Sequence, residues 1–192
     1  MRPVTSAPDP LAGVLIGGRE QVDIVVVDDD GRWPERFAAV RERLVGALGE
    51  RALRVEHIGS TAVPGLAAKP LLDVLVVVAD VEDEDAYVPA LEGAGFVLRV
   101  REPEHRMVRT PARDVHVHLY EPDHPAVRAY LDLRDWLRVD AADRALYAAT
   151  KRRLAAQAWS DMNAYADAKT DVVQAVLGRA RAWRAGQAPT LD

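Results

Sequence analysis

Hydrophobic and polar positions alternate along this chain with two periods, and the shorter period marks the predicted strands. In Asp114–Tyr120 every second residue is apolar, which is typical of a half-buried β-strand. Together with short apolar runs bounded by turn residues, the predicted strands are Val22–Val27, Leu53–Val55, Leu71–Val78, Phe96–Arg101, Arg106–Arg109 and Asp114–Tyr120. Only short turns separate the last three, so we expect them to form an antiparallel meander.

A helical period predicts most of the remaining chain. Trp33-Pro34 opens a helix that ends near Leu48, with Phe37, Val40 and Leu44 on its buried side. The other predicted helices are Val81–Ala94, Ala126–Leu137, Ala141–Ala158 and a last one that runs to about Arg184, with Asp140 as the N-cap of Ala141–Ala158 and Ser160 or Asp161 as the N-cap of the last. Strands followed by helices predict an α/β (α+β) fold that ends in a helical segment.

These elements predict one domain. Residues 1–20 are rich in proline and small residues, and we expect them to be a flexible leader with room for one short ordered piece around Leu11–Ile16. Residues 21–192 contain no internal repeat and no linker long enough to separate two domains, so we expect them to fold as a single unit.

Composition and charge limit the classes of partner and the kinds of site that we expect. The chain has 25 basic and 30 acidic residues, a net charge of −5, whereas a general nucleic-acid binder usually carries a basic face. The absence of cysteine excludes disulfides and thiolate zinc sites. The first twenty residues lack the pattern of a secretory signal, and no apolar run could span a bilayer. We therefore expect a cytoplasmic protein without a nucleic-acid or membrane partner.

The stretch from His57 to Asp73 carries the strongest local signal. Gly59, Ser60 and Thr61 form a turn between two predicted strands, and either hydroxyl residue could cap a short helix after it. Backbone N–H groups at such a turn attract anions, so these three residues are predicted phosphate ligands. Asp73 begins the following buried strand. A buried carboxylate needs a partner, which could be a metal ion or a basic side chain such as Lys69 or Arg106.

The sequence His57-Ile-Gly-Ser-Thr-Ala-Val-Pro-Gly-Leu66, followed by Ala-Lys-Pro and an Asp-initiated strand, resembles the hallmark of the GrpB family, also called UPF0157. The resemblance runs from about Val22 to Trp183. It implies a nucleotidyltransferase-like fold, with a mixed β-sheet core and a C-terminal helical segment. Relatives of this family are fused behind dephospho-CoA kinase in some bacteria, which implies a link to the CoA pathway.

The same resemblance gives Asp73 a chemical role. In nucleotidyltransferases an Asp-x-Asp strand after a Gly-Ser turn holds magnesium, but Leu75 stands here at the second acidic position. His116 and His118 share one face of their strand, and the implied fold places that strand beside Asp73. We predict Asp73, His116 and His118 as a site for a divalent metal, Mg²⁺ or Mn²⁺, with Zn²⁺ as a further candidate. A metal-free polar site is the alternative.

A set of basic side chains is predicted to bind the ligand. Arg134 and Arg138 stand four residues apart on one helical face and could grip one anion together. Two family-like Tyr-x-x-x-Lys pairs, Tyr147 with Lys151 and Tyr165 with Lys169, repeat this spacing. The predicted phosphate- or ligand-binding set is Lys69, Arg106, Arg134, Arg138, Tyr147, Lys151 and Lys169. The chain has only three lysines, and their selective use favours a pocket over solvated helix faces.

These residues predict binding of ATP, another nucleotide or another phosphorylated small molecule. One function is metal-assisted nucleotidyl or phosphoryl transfer, or an ATP-dependent ligase reaction, with Asp73, His57 and Lys69 as catalytic residues. For His57 the open roles are general base, additional metal ligand, phosphate contact or a donor that fixes the turn. The other function is a non-catalytic ligand-binding or accessory domain with a degenerate site, which Leu75 favours.

Overall fold

The computed structural model describes residues 13–18, 20, 24–159 and 162–187, without the side chains of Met162 and Asn163. The predicted caps Ser160 and Asp161 lie outside the described residues. In chain order the elements are α1 (Trp33–Leu48), β1 (Arg54–Ile58), β2 (Leu72–Val77), α2 (Val88–Gly93), β3 (Val97–Glu102), β4 (His105–Arg109), β5 (Val115–Tyr120), α3 (Pro125–Val139), α4 (Ala141–Ala155), α5 (Met162–Asp167) and α6 (Thr170–Gly186). Single turns of 3-10 helix cover Gly49–Arg51, Ser60–Ala62 and Glu84–Ala86. The predicted fold, a sheet followed by a helical segment, is confirmed.

The five strands form one mixed sheet in the order β1-β2-β5-β4-β3. β1 and β2 are antiparallel, β2 and β5 are parallel, and β3, β4 and β5 form the predicted antiparallel meander. Asp73 pairs with His116, and Leu75 pairs with His118. Since paired residues point to the same side of a sheet, these four side chains share one face, which we call the pocket face. The opposite side is the back face.

The back face carries the largest apolar core. Val74, Val76 and Val117 are fully buried there, and they pack with Leu44 and Leu48 from α1. Complete burial of a side chain of this size stabilises a fold by about 1.5–3 kcal/mol. The predicted buried stripe of α1 is therefore what attaches this helix to the sheet, with α2 beside it.

The pocket face is covered by the C-terminal helices. Val127 and Leu131 from α3 pack on Leu75, Val77 and Tyr120 of the sheet. A separate cluster joins α3, α4 and α6 to the loop between β1 and β2, and its buried members are Val63, Leu66, Ala67, Leu137, Tyr147, Ala148 and Val176. The loop is thus held between the sheet and the helical segment, where the site residues were predicted.

Three predicted helices have different limits in the structure. The helix expected over Val81–Ala94 splits into a 3-10 turn and α2, because Tyr87 adopts a non-helical φ of −138° before the proline in the first turn of α2. Ala141–Ala158 ends at Ala155, and the Trp159 indole donates to the Leu154 carbonyl beyond that end. The last predicted helix is two helices, α5 and α6. Asp140 caps α4 as predicted, accepting from Asp143 N at 2.7 Å. No helix in the described part is long and apolar enough to cross a membrane.

The strand predicted over Val22–Val27 is wrong in its described part. Residues 24–26 have no strand structure, and Val27 pairs with Ala68 in a single antiparallel bridge of two hydrogen bonds, 2.8 and 2.9 Å long. The next pair of this ladder would join Val25 to Pro70, and proline has no N–H to donate. Residues 22 and 23 lie outside the described residues.

Part of the predicted leader pairs with the sheet edge. Leu15 forms a bridge with Val100 of β3, Ile16 N donates to the Arg99 carbonyl, and Arg101 N donates to the Val14 carbonyl. Residues 1–12 and 19 lie outside the described residues. In the described part, this pairing lies where the short ordered piece was expected, around Leu11–Ile16.

The predicted short helix after the Gly-Ser turn is only a 3-10 turn, and its N-cap is Gly59 rather than Ser60 or Thr61. No side chain caps it. Thr61 Oγ1 instead donates to the Leu71 carbonyl at 3.1 Å, which ties the turn to the start of β2. One turn of helix also has a much smaller dipole than a full α-helix, so any anion here depends mainly on side-chain charge.

Candidate functional site

A cavity of about 440 Å³ lies between the pocket face and the C-terminal helices. The start of β2 and neighbouring β5 form its floor, and α3, α4, α5 and the first turn of α6 form its walls. The predicted site residues that line it are Gly59, Ser60, Lys69, Asp73, His116, His118, Arg134, Tyr147, Lys151 and Lys169. The fold therefore brings most of the predicted residues into one place, although they are spread over more than half of the chain.

Four predicted residues do not line this cavity: His57, Thr61, Arg106 and Arg138. His57 precedes Ile58, which pairs with Asp73, so strand alternation places the imidazole on the back face. Its ring stacks on Phe37 with centroids 4.7 Å apart, and its Nε2 lies 3.0 Å from Thr61 Oγ1. Burial lowers the pKa of His57 to about 4. This geometry fits the turn-fixing role among those left open for His57, and it separates the ring from Asp73.

The two arginines outside the cavity have protein partners. Arg106 lies on the back face, opposite Leu119, and forms ion pairs of 2.5 Å with Glu82 and Glu84. Arg138 donates from Nε to the Ala62 carbonyl at 2.9 Å and lines a second cavity of about 460 Å³, together with His57, Thr61 and Arg134. Because Asp73 lies on the pocket face, the Arg106 side chain would have to cross the sheet to contact a ligand bound beside Asp73.

Asp73 is the acidic centre of the cavity. Its side chain is 28% exposed, and its Oδ1 lies 3.7 Å from His118 Nε2 and 4.0 Å from His116 Nδ1. Burial disfavours the charged carboxyl, but the neighbouring His118, His116 and Lys169 outweigh it, so the pKa of Asp73 is lowered. The site therefore holds an ionised carboxylate at neutral pH.

Gly59 allows the turn to approach this carboxylate. Its φ of 69° and ψ of −169° lie in a region that is essentially restricted to glycine. A Cβ at this position would lie 2.5 Å from Asp73 Oδ2. The glycine of the sequence motif is thus required both by the backbone conformation and by the contact with Asp73.

The two predicted histidines share the pocket face but hold different positions. Their rings are 6.5 Å apart and nearly perpendicular. His118 Nδ1 lies 3.2 Å from His105 Nε2, and His105 Nδ1 lies 2.8 Å from Glu102. Burial lowers the pKa of His116 to about 4, against the attraction of Asp73, so this ring is neutral at pH 7.

These side chains do not fit a metal site as they stand. In the part of the chain that the structure describes, no group of three or more His, Asp and Glu side chains is arranged to hold a metal ion. Ligand atoms about 2.0–2.1 Å from a tetrahedral zinc would be roughly 3.3 Å apart. The separations of Asp73 from His116 and His118 are longer, and His118 also contacts His105. The hydrogen-bond contacts of this cluster join His118 to His105 and His105 to Glu102.

All three lysines of the chain line this cavity, where Asp73 is the single carboxylate of the described lining. Lys151 is 3% exposed and donates from Nζ to Ser60 Oγ at 2.8 Å and to the Ala67 carbonyl. Burial lowers the pKa of Lys151 to about 7, and repulsion from Lys169 and Arg152 adds to this. Burial also lowers the pKa values of Lys69 and Lys169, while Asp73 opposes the shift. The cavity therefore has an excess of cationic groups.

Both predicted Tyr–Lys pairs are in contact. Lys151 Nζ lies 4.6 Å from the centre of the Tyr147 ring, and Lys169 Nζ lies 4.3 Å from the centre of the Tyr165 ring. Such cation–π contacts stabilise an ammonium group by about 0.5–2 kcal/mol. In the first pair the four-residue spacing lies within α4, and in the second it crosses the junction between α5 and α6. The rings hold both ammonium groups at the cavity wall.

Arg134 lines the cavity, but its charge is shared with protein acids. Its Nη1 donates to Glu56 at 2.7 Å and to the His57 carbonyl at 3.0 Å, and its Nε donates to Asp135 at 2.9 Å. Arg134 and Arg138, predicted to grip one anion together, both lie within ion-pair distance of the Asp135 carboxylate, at 2.9 and 3.7 Å.

Sequence reasoning missed two residues that complete the site. Tyr130 lines the cavity, and His105 contacts His118. Tyr130 stands four residues before Arg134, so its helical face could have been predicted from that spacing. His105 adjoins the predicted strand Arg106–Arg109, and the register of the meander would have placed it opposite Tyr120 and diagonally next to His118.

Comparison with known proteins gives the family. A family model described as GrpB protein matches residues 23–179. A UPF0157 protein of Streptomyces coelicolor is 55% identical over 177 residues, which are 92% of this chain and 95% of the relative. A UPF0157 protein of Halalkalibacterium halodurans is 45% identical over 162 residues, 83% of each chain. Dephospho-CoA kinase of Mycolicibacterium paratuberculosis is 30% identical over 187 residues, but this chain covers only 46% of its length.

Solved structures agree with this result. The crystal structure of the conserved protein GrpB from Enterococcus faecalis has a TM-score of 0.74 and 31% identity, over 83% of this chain and 99% of that one. The Cid1 poly(U) polymerase has a TM-score of 0.48 and 16% identity, over 68% of this chain and 44% of that one, a likeness too low to support an inference about chemistry. The resemblance inferred from the motif between His57 and Asp73 is confirmed: the chain belongs to the GrpB family.

Proposed function

We propose that this protein binds a phosphorylated small molecule in the lysine-lined cavity, with a nucleotide as the leading candidate. One observation carries this function: an acidic chain of 192 residues with three lysines has all three around one cavity, beside a single carboxylate of the described lining. A cluster of partly desolvated ammonium groups is unfavourable when empty, and a phosphate dianion would offset that repulsion.

The shape and the walls of the cavity support the same ligand class. A volume of about 440 Å³ is within the range of small-molecule sites. Lys69 and Lys169 lie near Asp73, at the polar end, where they would contact the phosphate together with Ser60. Tyr130, Tyr147 and Tyr165 add aromatic surface on the helical side, which suits a base or another apolar part of the ligand.

A more specific form of this proposal is that the protein also catalyses a reaction of its ligand. Metal-assisted nucleotidyl or phosphoryl transfer would use the ionised Asp73 and Lys69, and the binding energy of the lysines would stabilise charge in the transition state. Leu75 argues against the two-metal form of this chemistry. It stands on the pocket face where the second carboxylate would be, and it is fully buried among Ile58, Val77 and Leu131.

A second candidate function is an accessory ligand-binding domain without turnover. The buried Leu75 favours it, and so does the relation to a dephospho-CoA kinase of which this chain covers less than half. In that role the cavity would retain a phosphorylated ligand connected with the CoA pathway.

Thermal unfolding in the presence of ligands tests the proposal. The panel contains nucleoside triphosphates, CoA precursors and sugar phosphates, each with and without Mg²⁺, Mn²⁺ or Zn²⁺. A ligand at a hundredfold above its dissociation constant should stabilise the protein by about 2.7 kcal/mol. Lys169→Met should weaken the bound ligand by at least about tenfold, since a hydrogen bond to a charged group contributes about 1.5–3 kcal/mol. The exposed Arg153→Met is the matched control and should bind normally.

Two outcomes would contradict binding in this cavity: no ligand of the panel shifts the transition, or Lys169→Met and the control bind equally well. Product analysis with the ligand that binds then separates the two functions. Turnover that depends on metal and is lost in Asp73→Asn supports a transferase. Metal-independent binding without any product supports the accessory domain.

A further inference from the structure

We propose that Ser60 is a nucleophile toward phosphorus and that Lys151 is its general base. This rests on the proposed function, because the same cavity would hold the phosphoryl group. The two residues are 91 positions apart in the sequence, and the fold places Lys151 Nζ 2.8 Å from Ser60 Oγ, within proton-transfer distance. A serine hydroxyl becomes a strong nucleophile when a neighbouring base takes its proton, and Ser–Lys pairs are one form of this arrangement.

The position of Ser60 suits this role. It begins the 3-10 turn that follows Gly59, and it lines the cavity together with Asp73, Lys69 and Lys169. Lys151 lies behind it in α4 and is almost completely buried. In the described part of the chain no carboxylate lies within ion-pair distance of Lys151. Its polar partners there are the Ser60 hydroxyl and the Ala67 carbonyl.

A neutral amine can keep both of these contacts, with the direction of the hydrogen bond to Ser60 reversed. A neutral amine has one lone pair, which can accept the Ser60 hydroxyl proton, and an N–H that can donate to the Ala67 carbonyl. The charged groups around Lys151 are Lys169 and Arg152, which repel an added proton, and Asp73, which attracts it. Burial and the two repelling cations outweigh Asp73 and lower the pKa of Lys151 to about 7, so the neutral form is well populated near neutral pH.

The surrounding charges favour a phosphoryl group over a carbonyl as the electrophile. Lys69 and Lys169 can neutralise the oxygens of a phosphate ester or anhydride in the same cavity. In the proposed step, the Ser60 Oγ–P bond forms while the bond between phosphorus and the leaving oxygen breaks. The leaving oxygen keeps that electron pair, and the Ser60 proton passes to Lys151, which can return it to the leaving group. The product is phosphoserine at position 60.

A fluorophosphonate probe tests the nucleophile without knowledge of the natural ligand. The full chain is incubated with the probe between pH 5 and 9, and the labelled residue is located by peptide mass spectrometry. We expect labelling at Ser60 that rises with pH around 7 and is lost in Ser60→Ala. Lys151→Arg keeps the charge but cannot act as a base, so it should slow labelling by about 100-fold or more. The exposed Arg153→Gln is the matched control and should label at the rate of the unsubstituted chain.

A second variant keeps the test decisive if Lys151→Arg folds poorly. Because the chain has no cysteine, Ser60→Cys contains a single thiol. Its alkylation rate measures the influence of Lys151 on position 60. The thiol should react faster at neutral pH than the same thiol in a Ser60→Cys, Lys151→Met double variant. A purely structural role of Lys151 predicts equal rates, provided that both variants show the same unfolding transition.

Labelling that persists in Ser60→Ala, absence of labelling at every pH, or equal thiol rates with and without Lys151 would each overturn the proposal. Its failure can be distinguished from failure of the proposed function. Ligand binding compared between the unsubstituted chain and Lys169→Met reports on the phosphate pocket alone, whereas fluorophosphonate labelling reports on the nucleophile alone.

Discussion

Two buried cations lie on opposite sides of the same sheet, and in the described part of the chain only one of them has carboxylate partners. Arg106 on the back face is 4% exposed and forms ion pairs with Glu82 and Glu84. Lys151 on the pocket side is 3% exposed, and its described contacts are a hydroxyl, a carbonyl and the Tyr147 ring. Burial lowers the pKa of both, but the two glutamates outweigh it and raise the pKa of Arg106, whereas that of Lys151 falls to about 7.

The difference distinguishes a structural cation from the one that we propose to be functional. A buried charge costs several kcal/mol unless it is paired and hydrogen-bonded, and Arg106 has both forms of compensation. Lys151 has hydrogen bonds but no described carboxylate partner, so burial and the nearby cations disfavour its charged form. Such a group is available to a ligand anion or to proton transfer, which the fully compensated Arg106 is not.

The largest effect that we expect concerns the free energy of unfolding and the close contact between Gly59 and Asp73. Gly59→Ala should lower the free energy of unfolding by about 4 kcal/mol, since backbone strain of about 1–3 kcal/mol adds to overpacking of similar size against Asp73. Gly65 is the control: its φ of 75° is also positive, but a Cβ there would meet open space, so Gly65→Ala should cost only about 1–2 kcal/mol. Equal losses in urea titrations would contradict the close contact with Asp73.

Arg106→Met should be the most destabilising loss of a cation, at about 3 kcal/mol, because it leaves Glu82 and Glu84 without their buried partner. The more exposed Arg113, which pairs with Glu20 at 3.3 Å, provides the comparison, and Arg113→Met should change stability by less than about 1 kcal/mol. Ligand binding should be unchanged in both. If Arg106→Met folds stably but fails to bind, the back-face arginine is more than structural.

Unlike Arg106→Met, Lys151→Met should stabilise the folded protein, and it should also alter the pH dependence of stability. The folded pKa of Lys151, about 7, is below the ordinary 10.5, so between these values the unfolded chain holds a proton that the folded chain lacks. Stability should therefore rise with pH across this window, by up to about 1.4 kcal/mol per unit from this residue.

In Lys151→Met most of that slope should disappear, and at pH 7 the variant should be about 1 kcal/mol more stable. Lys69 and Lys169 leave a smaller residual slope, because their pKa values are also lowered. Urea titrations at several pH values measure both quantities. An unchanged slope would mean that Lys151 remains charged in the folded protein.

The sequence was sufficient for the local and periodic features of this molecule. Alternation in Asp114–Tyr120 predicted the shared face of His116 and His118, and four-residue spacing predicted the contact of Lys151 with Tyr147. These features depend on geometry within one element. The strand predicted over Val22–Val27 is absent from its described part because pairing depends on a partner, and here Pro70 lacks the required N–H.

The same distinction between local geometry and contacts with distant parts of the chain applies to the site residues. His57 lies in the same motif as Gly59 and Ser60, yet its side chain lies on the back face, because one residue along a strand reverses the direction. In the sequence, Arg106 and Lys69 are equivalent candidate cations, but the structure pairs Arg106 with Glu82 and Glu84. The contact between Ser60 and Lys151 joins residues from distant parts of the chain, and periodicity carries no information on such a pair.

The smallest expected effect compares two neighbours on α4. Arg152 adjoins Lys151, but it is 54% exposed and pairs at 2.5 Å with Asp28, which is 88% exposed. Because exposed ion pairs contribute about 0–1 kcal/mol, Arg152→Met should change stability by less than about 0.5 kcal/mol and leave ligand affinity unchanged.

Arg152 should nevertheless act on Lys151 at a distance, since its charge contributes to the lowered pKa of that residue. The midpoint of Ser60 labelling should therefore move slightly to higher pH in Arg152→Met, at an unchanged maximal rate. High salt should reduce this displacement, because exposed charges are screened over about 8–10 Å. If instead Arg152→Met weakened ligand binding as much as Lys169→Met, exposed charge near the cavity would suffice to attract the ligand. The distinction between exposed and buried cations would then no longer explain the site.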